Sequence, residues 1–217
     1  MSTERLPRRE RNKIRNREEI LRAALEEFSA KGFRDASMQE IAARAEFSIG
    51  TVYSLLGSKD ELYLELLSNY VEKASTVFFG ILEREGDEYE RLLNYAIAKG
   101  ELFRDNPQMA RIVVHETTGP STTFTKGLQP IIKEQYEFWL RRLASEFDRG
   151  IERGIFRSFD SYYLAVLLDG MTSAFLYRWL EKPEEHPYEK SLEFVQEVLW
   201  NIVVTEEYRQ RSAHGET

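Results

Sequence analysis

Apolar residues recur at intervals of three and four along nearly the whole chain, and no stretch alternates polar and apolar as a half-buried strand would. Ile20, Leu21, Ala24, Leu25 and Phe28 form one stripe and predict a first helix from about Arg9 to Ala30. Lys31-Gly32 closes it with a cation and a glycine. Met38, Ile41, Ala42 and Ala45 predict a short second helix, with Ser37 as N-cap and Glu40 completing a capping box. The break falls at Glu46-Phe47. Ser48 then caps a third helix whose inward side is Ile49, Val52, Leu55 and Leu56, and Gly57-Ser58-Lys59-Asp60 stops it and starts the next. Two short helices, a tight turn and a buried seam describe a helix-turn-helix, whose second helix offers its outer face to a DNA major groove.

Helical periodicity continues to the end. A long fourth helix is expected from about Ser58 to Glu85, a fifth from Asp87 to Asp105 and a short sixth from Gln108 to Glu116. Thr117–Thr122 reads as a loop, and a seventh helix carries Phe138, Trp139, Leu143 and Phe147, with Pro130 in its first turn or kinking it. Asp160 caps an eighth helix, and a ninth follows the loop between Pro183 and Pro187. The fold class is therefore all-α: an N-terminal three-helix unit over residues 1–58, including a basic arm, and a larger C-terminal helical bundle over 59–217 for ligand binding and dimerisation.

The stretch from about 15 to 65 resembles the DNA-binding domain of the TetR (tetracycline-repressor-like) family of bacterial transcription regulators. The residues that carry the resemblance are Ile20, Leu21, Ala23, Ala24, Phe28, Gly32-Phe33, Ser37-Met38, Ile41-Ala42, Ala45, Ser48, Gly50-Thr51, Tyr53, Lys59 and Leu62. Two positions depart from the pattern: Glu46 stands where the family usually has glycine, and Leu56 where an aromatic is usual. A left-handed backbone at Glu46 would cost about 1 kcal/mol. The resemblance implies that Ser48, Ile49 and Gly50 lie nearest the bases, that Thr51 and Tyr53 bond to phosphates, and that Lys59 meets a phosphate. Arg15, Ser37, Met38, Gln39 and Arg44 complete the expected DNA-facing set. The chemistry agrees, because hydroxyls beside the free N–H groups of a helix N-terminus are natural phosphate ligands. Gly50 lets the helix approach the groove closely, and Ile49 can meet a thymine methyl without reading a donor–acceptor pattern.

Charge sharpens this division. The net charge of −7 is uneven: residues 1–60 hold 12 basic and 10 acidic side chains, whereas 61–217 hold 18 and 27. Residues 1–17 alone carry seven basic side chains against Glu4 and Glu10. A basic arm ahead of a helix-turn-helix reads as a phosphate-contacting extension. With no cysteine there is neither disulfide nor thiolate metal site, and the N-terminus lacks the apolar core of a signal peptide, which fits a cytoplasmic protein without membrane contact.

In the C-terminal portion, the eighth and ninth helices are too apolar to face water. An isologous contact between two copies is the simplest reading, through Tyr163, Leu167, Gly170, Met171, Ala174, Leu192, Val195, Leu199 and Ile202. A homodimer would also space two recognition helices roughly 34–36 Å apart, one turn of DNA. Phe78, Phe103, Tyr136, Trp139 and Phe175 would line a pocket for a mainly apolar or aromatic small-molecule effector, anchored by Arg111, His115 and Gln135. The expected protein is a ligand-responsive repressor of a palindromic operator. The alternatives are an architectural DNA-binding protein without effector or, from another class, a helical enzyme. Against an enzyme stands the lack of a nucleophile elbow, phosphate loop or metal-spaced ligand cluster, so neither catalytic residues, metal nor cofactor is expected.

Overall fold

The computed structural model describes residues 7–118 and 129–214, with side chains described for 7–113 and 134–214. Ten α-helices and one π-helical turn account for the described secondary structure. They are α1 (Arg8–Asp35), α2 (Met38–Arg44), α3 (Ile49–Leu56), α4 (Lys59–Leu82), α5 (Glu88–Asp105), α6 (Pro107–Thr118), α7 (Gln129–Glu152), α8 (Ser161–Glu181), α9 (Tyr188–Val198) and α10 (Glu206–Ala213). The π turn, Leu199–Val203, continues α9 and ends where an isolated bridge pairs Phe156 with Val204. The all-helical expectation stands. Helical periodicity alone runs the ninth helix through Val203 and predicts no tenth helix. The π turn ends that run, and Thr205 then caps α10 by accepting from the Tyr208 N–H.

The chain divides into two compact units. One comprises residues 1–72 with 108–128, the other 73–107 with 129–217. In the first, Ile20, Ala24 and Phe28 of α1 are buried with Ile41 and Ala42 of α2, Val52 and Leu56 of α3, and Leu62 and Tyr63 of α4. Burial of these side chains drives the packing at about 25 cal/mol per Å² of apolar surface. Gly32 interrupts α1 at φ 77°, a conformation that glycine adopts without steric cost. The chain thereby turns Phe33 onto Tyr63, with ring centroids 4.7 Å apart. Arg17 adds a polar strut: its Nε donates to Glu65 at 2.7 Å and its guanidinium also reaches the Leu55 carbonyl.

In the second unit, α5 lies against α7, α8 and α9. Gly100 permits one of these contacts, because a Cβ there would fall 1.9 Å from the Tyr188 ring. Tyr188 completes it by donating to the Ala96 carbonyl at 2.8 Å. Two fully buried carboxylates, Glu88 and Glu146, are joined by Arg91 at 2.7 and 3.2 Å. Arg153 and Arg142 supply further partners at 3.0 and 2.8 Å, so neither buried charge lacks compensation. Pro130 is the second described residue of α7.

Candidate nucleic-acid interface

The helix-turn-helix is built by its caps. Ser37 accepts from the Glu40 N–H at 3.2 Å while the Glu40 carboxylate accepts from the Ser37 N–H at 3.1 Å, a complete capping box for α2. Glu40 also meets Lys31 Nζ at 2.9 Å. The Lys31 bond first, and those from Ser37 next, hold its carboxyl down at about 2. The turn that follows contains the one non-glycine residue of positive φ among the described residues, Glu46 at φ 59°. The left-handed position expected from the sequence is thus occupied by a residue with a Cβ. Ser48 caps α3, accepting from the Thr51 N–H at 3.1 Å, and its hydroxyl lies 2.8 Å from that of Thr51.

On α3, Val52 and Leu56 are buried, whereas Ser48, Ile49, Gly50, Tyr53 and Ser54 are exposed and Thr51 is half-buried. A Cβ placed on Gly50 would meet only the Ser48 hydroxyl, 3.9 Å away. The helix is therefore bare at the point where a DNA groove would approach. A concave cleft runs between this helix and the N-terminal turns of α1, with Arg9, Asn12, Lys13 and Asn16 on one wall and Ser48, Gly50, Thr51 and Ser54 on the other. Sequence reasoning had singled out the arm by its charge. It had not placed Asn12 or Asn16, which carry no charge and come forward only because α1 begins at Arg8 and passes α3.

Three expected DNA residues are engaged within the chain, and a fourth, Lys59, is tethered with two of its three N–H donors to spare. Met38 is 5 % exposed and belongs to the core, since the face of α2 that carries it is the face that packs inward. Arg44 is bound to the carboxylates of Glu27 at 2.7 Å and Glu26 at 2.9 Å, which tie α2 to α1 and occupy its guanidinium. The Ser37 hydroxyl is engaged in its own cap. Lys59 donates to the Arg34 carbonyl at 3.0 Å and rests 4.7 Å from the centroid of the Phe33 ring. Gln39 is exposed, and Arg15 is exposed with a loose 3.8 Å contact to Glu19.

The second unit has a feature that sequence reasoning missed. Asp169, fully enclosed on α8, accepts from Lys99 Nζ at 2.6 Å, from the Tyr95 hydroxyl at 2.6 Å and from the Tyr136 hydroxyl at 2.8 Å. Lys99 further donates to Thr172 and Ser173 at 3.1 and 2.7 Å. Burial pushes the Asp169 carboxyl up, but the Lys99 charge and the three hydrogen bonds outweigh it and hold the group below its ordinary value. Burial, reinforced by the Asp169 charge, pushes the Tyr95 phenol well up. The only sequence signal was a Lys and an Asp on otherwise apolar helix faces. Against this polar core lie the rings of Phe78, Tyr95 and Trp139, at 5.1 to 5.2 Å from one another.

Of the expected effector residues, Phe78, Tyr136 and Trp139 come together here. Phe103 is buried on α5, Phe175 packs edge-on to Phe194 at 5.9 Å, and Gln135 is exposed. Arg111 belongs to α6 in the first compact unit, and the His115 side chain lies outside the described residues. Along α8, Tyr163, Leu167, Gly170 and Ala174 are exposed at helical spacing with Met171 half-buried beside them, and Ile202 is exposed on the π turn. Leu192 is half-buried. Val195 and Leu199, expected on the same outer face, are 1 % and 3 % exposed in the single chain and are core. Phe194, not foreseen there, is the exposed ring of α9.

A capped pair of short helices, with a bare hydroxyl-and-glycine face beside basic side chains, defines a helix-turn-helix DNA-binding protein. Residues 20–66 match the family model of bacterial regulatory proteins of the tetR family. Among curated relatives, the HTH-type regulator YdgC of Bacillus subtilis is 30 % identical over 57 % of this chain and 65 % of its own length. The repressor KstR2 of Mycobacterium tuberculosis is 26 % identical over 65 % of this chain and 69 % of its own. The activator FasR of Mycolicibacterium smegmatis is 39 % identical, but over only 50 % of this chain and 48 % of its own length. Two solved structures extend the likeness of fold across the chain. A transcriptional-regulator structure from Saccharomonospora viridis in complex with choline has a TM-score of 0.73 at 20 % identity, covering 88 % of this chain and 98 % of that one. FadR of Bacillus subtilis in complex with stearoyl-CoA has a TM-score of 0.68 at 19 % identity, covering 84 % and 96 %. Residues 20–66 thus carry a DNA-binding domain of the TetR type, and the rest of the chain shares the fold of TetR-family regulators.

Proposed function

We propose that the protein is a homodimeric repressor that grips a palindromic operator through its α3 face and α1 arm and leaves it when a small effector binds the second unit. The observation that carries the reading is the bare face of α3, with Gly50 open and the Ser48 and Thr51 hydroxyls at the helix N-terminus. Phosphate contacts from Thr51, Tyr53, Lys59 and the basic arm would supply affinity, and Ile49 and Gln39 the base contacts. Two copies would join through the apolar row on α8, where Tyr163 is 71 % and Leu167 50 % exposed. Named ligands of the neighbours, choline and stearoyl-CoA, suggest a small organic effector. Phe78, Tyr136 and Trp139, backed by Asp169 and Lys99, form the best-supported wall for it, an apolar surface with a few fixed polar groups. The effector acts only if it binds the two states with different affinity.

The test is binding of the full chain to duplex DNA from around its own gene, by fluorescence anisotropy across a range of salt. A protected, roughly palindromic site is expected. Lys59→Ala should weaken binding to every duplex alike and reduce the slope of log affinity against log salt by about 1. No preference among duplexes, even at low salt, would overturn the reading.

A further inference from the structure

The first compact unit holds a pocket that the proposed DNA and effector sites do not use. It has a volume of about 360 Å³ and is bounded by the C-terminal part of α1, the first turns of α4 and the early part of α6. This is within the range of small-molecule sites, roughly 300–1,000 Å³. Its floor is aromatic: Phe28, Phe33 and Tyr63 lie with centroids 4.7 to 5.9 Å apart. Its rim is cationic. Arg34 of α1 and Arg111 of α6 are exposed there and have no ion pair among the described residues, whereas nearby Lys31 is already engaged by Glu27 and Glu40 at 2.8 and 2.9 Å. Asp35 is the only acidic residue in the lining.

We propose that this pocket is a ligand site for a small organic anion with a flat apolar body, the half-buried Phe33 ring, backed by Phe28 and Tyr63, packing on the body and the two guanidiniums taking a carboxylate. A guanidinium presents paired donors that match a carboxylate in plane, and aromatic side chains offer the faces and edges that a planar ring packs against. The site has a consequence for DNA. Lys59 rests on the Phe33 ring and bonds the Arg34 carbonyl, so an occupant touches the two residues that hold it. That consequence rests on Lys59 as a phosphate ligand. The binding itself does not, and it is measured without DNA, so its failure is distinguishable from failure of the repressor reading.

The probe is 1-naphthoate, titrated calorimetrically into the full chain, with 1-naphthylmethanol as its neutral counterpart. Saturable binding is expected, at least tenfold tighter for the acid than for the alcohol. The double variant R34A/R111A should weaken the acid at least tenfold and leave the alcohol unchanged, and Arg111→Lys should recover part of the loss. The Tyr63 ring resonances should shift on saturation with the acid. Binding of the acid that ignores both arginines, or that leaves Tyr63 unmoved, would overturn the site, as would no saturable binding.

Discussion

Lys99→Met offers a quantitative test of the buried core in the second unit. Lys99 and Asp169 are 6 % and 7 % exposed at the side chain and meet at 2.6 Å. Methionine keeps much of the volume and removes the charge. Asp169 then remains enclosed as a carboxylate with no cation, although the Tyr95 and Tyr136 hydroxyls still donate to it. Removing one partner of a buried pair costs about 3–5 kcal/mol, and the two remaining donors place the expected loss near the lower end. With a urea slope of about 2 kcal/mol per M, the midpoint should fall by about 1.5 M. All three tryptophans, Trp139, Trp179 and Trp200, lie in this unit, so their fluorescence follows its unfolding. The dependence on pH should change sign. In the natural protein the Asp169 carboxyl is held below its ordinary value of 3.8, so its contribution is present above that pH and is lost on acidification. In the variant, burial acts without a compensating charge and raises the folded-state value. The contribution is then complete below about 3.8 and is lost as pH rises through the raised value. The deficit against the natural protein should therefore shrink between pH 7 and pH 5. A loss under about 1 kcal/mol that is the same at both pH values would refute the reasoning.

Three further outcomes follow from particular positions. Gly50→Leu should abolish operator binding while leaving the circular dichroism spectrum and melting temperature unchanged, because a Cβ at Gly50 meets nothing closer than 3.9 Å within the chain; a variant that still binds would remove α3 from the groove. Glu46→Gly should stabilise the first unit by about 1 kcal/mol, as glycine relieves the left-handed cost of φ 59° at this exposed turn. An unchanged or lower urea midpoint would show that the turn carries no such strain. Leu167→Glu puts a charge in the exposed row of α8 and should convert the dimer to monomer in sedimentation, with loss of operator affinity. A monomeric natural protein, or a variant that still dimerises, would remove that face from the interface.

How much of this was legible in the sequence follows from the range over which each signal acts. The capping box at Ser37 and Glu40, the Ser48 cap and the break at Gly32 are decided within four residues, and each appears where its residue types predicted it. The left-handed backbone at Glu46 was suggested by the family resemblance, which has glycine there, and not by its own residue type. Signals that depend on partners distant in sequence were not readable. Lys99 and Asp169 are 70 positions apart, and nothing in either helix alone says that these two charged residues face each other. Arg44 looked like a DNA contact because it is a cation on the helix-turn-helix, yet its partners lie 17 and 18 positions back on α1. Val195 and Leu199 looked like interface for a related reason. A helix that is apolar on several sides does not reveal which side meets the rest of its own chain, and the π turn at Leu199 changes the register in which Ile202 is presented. The one stripe that sequence placed correctly outside, Tyr163 to Ala174, is interrupted by Gly170 and Ala174. Small residues on an exposed row would let the partner helix of the proposed dimer approach closely.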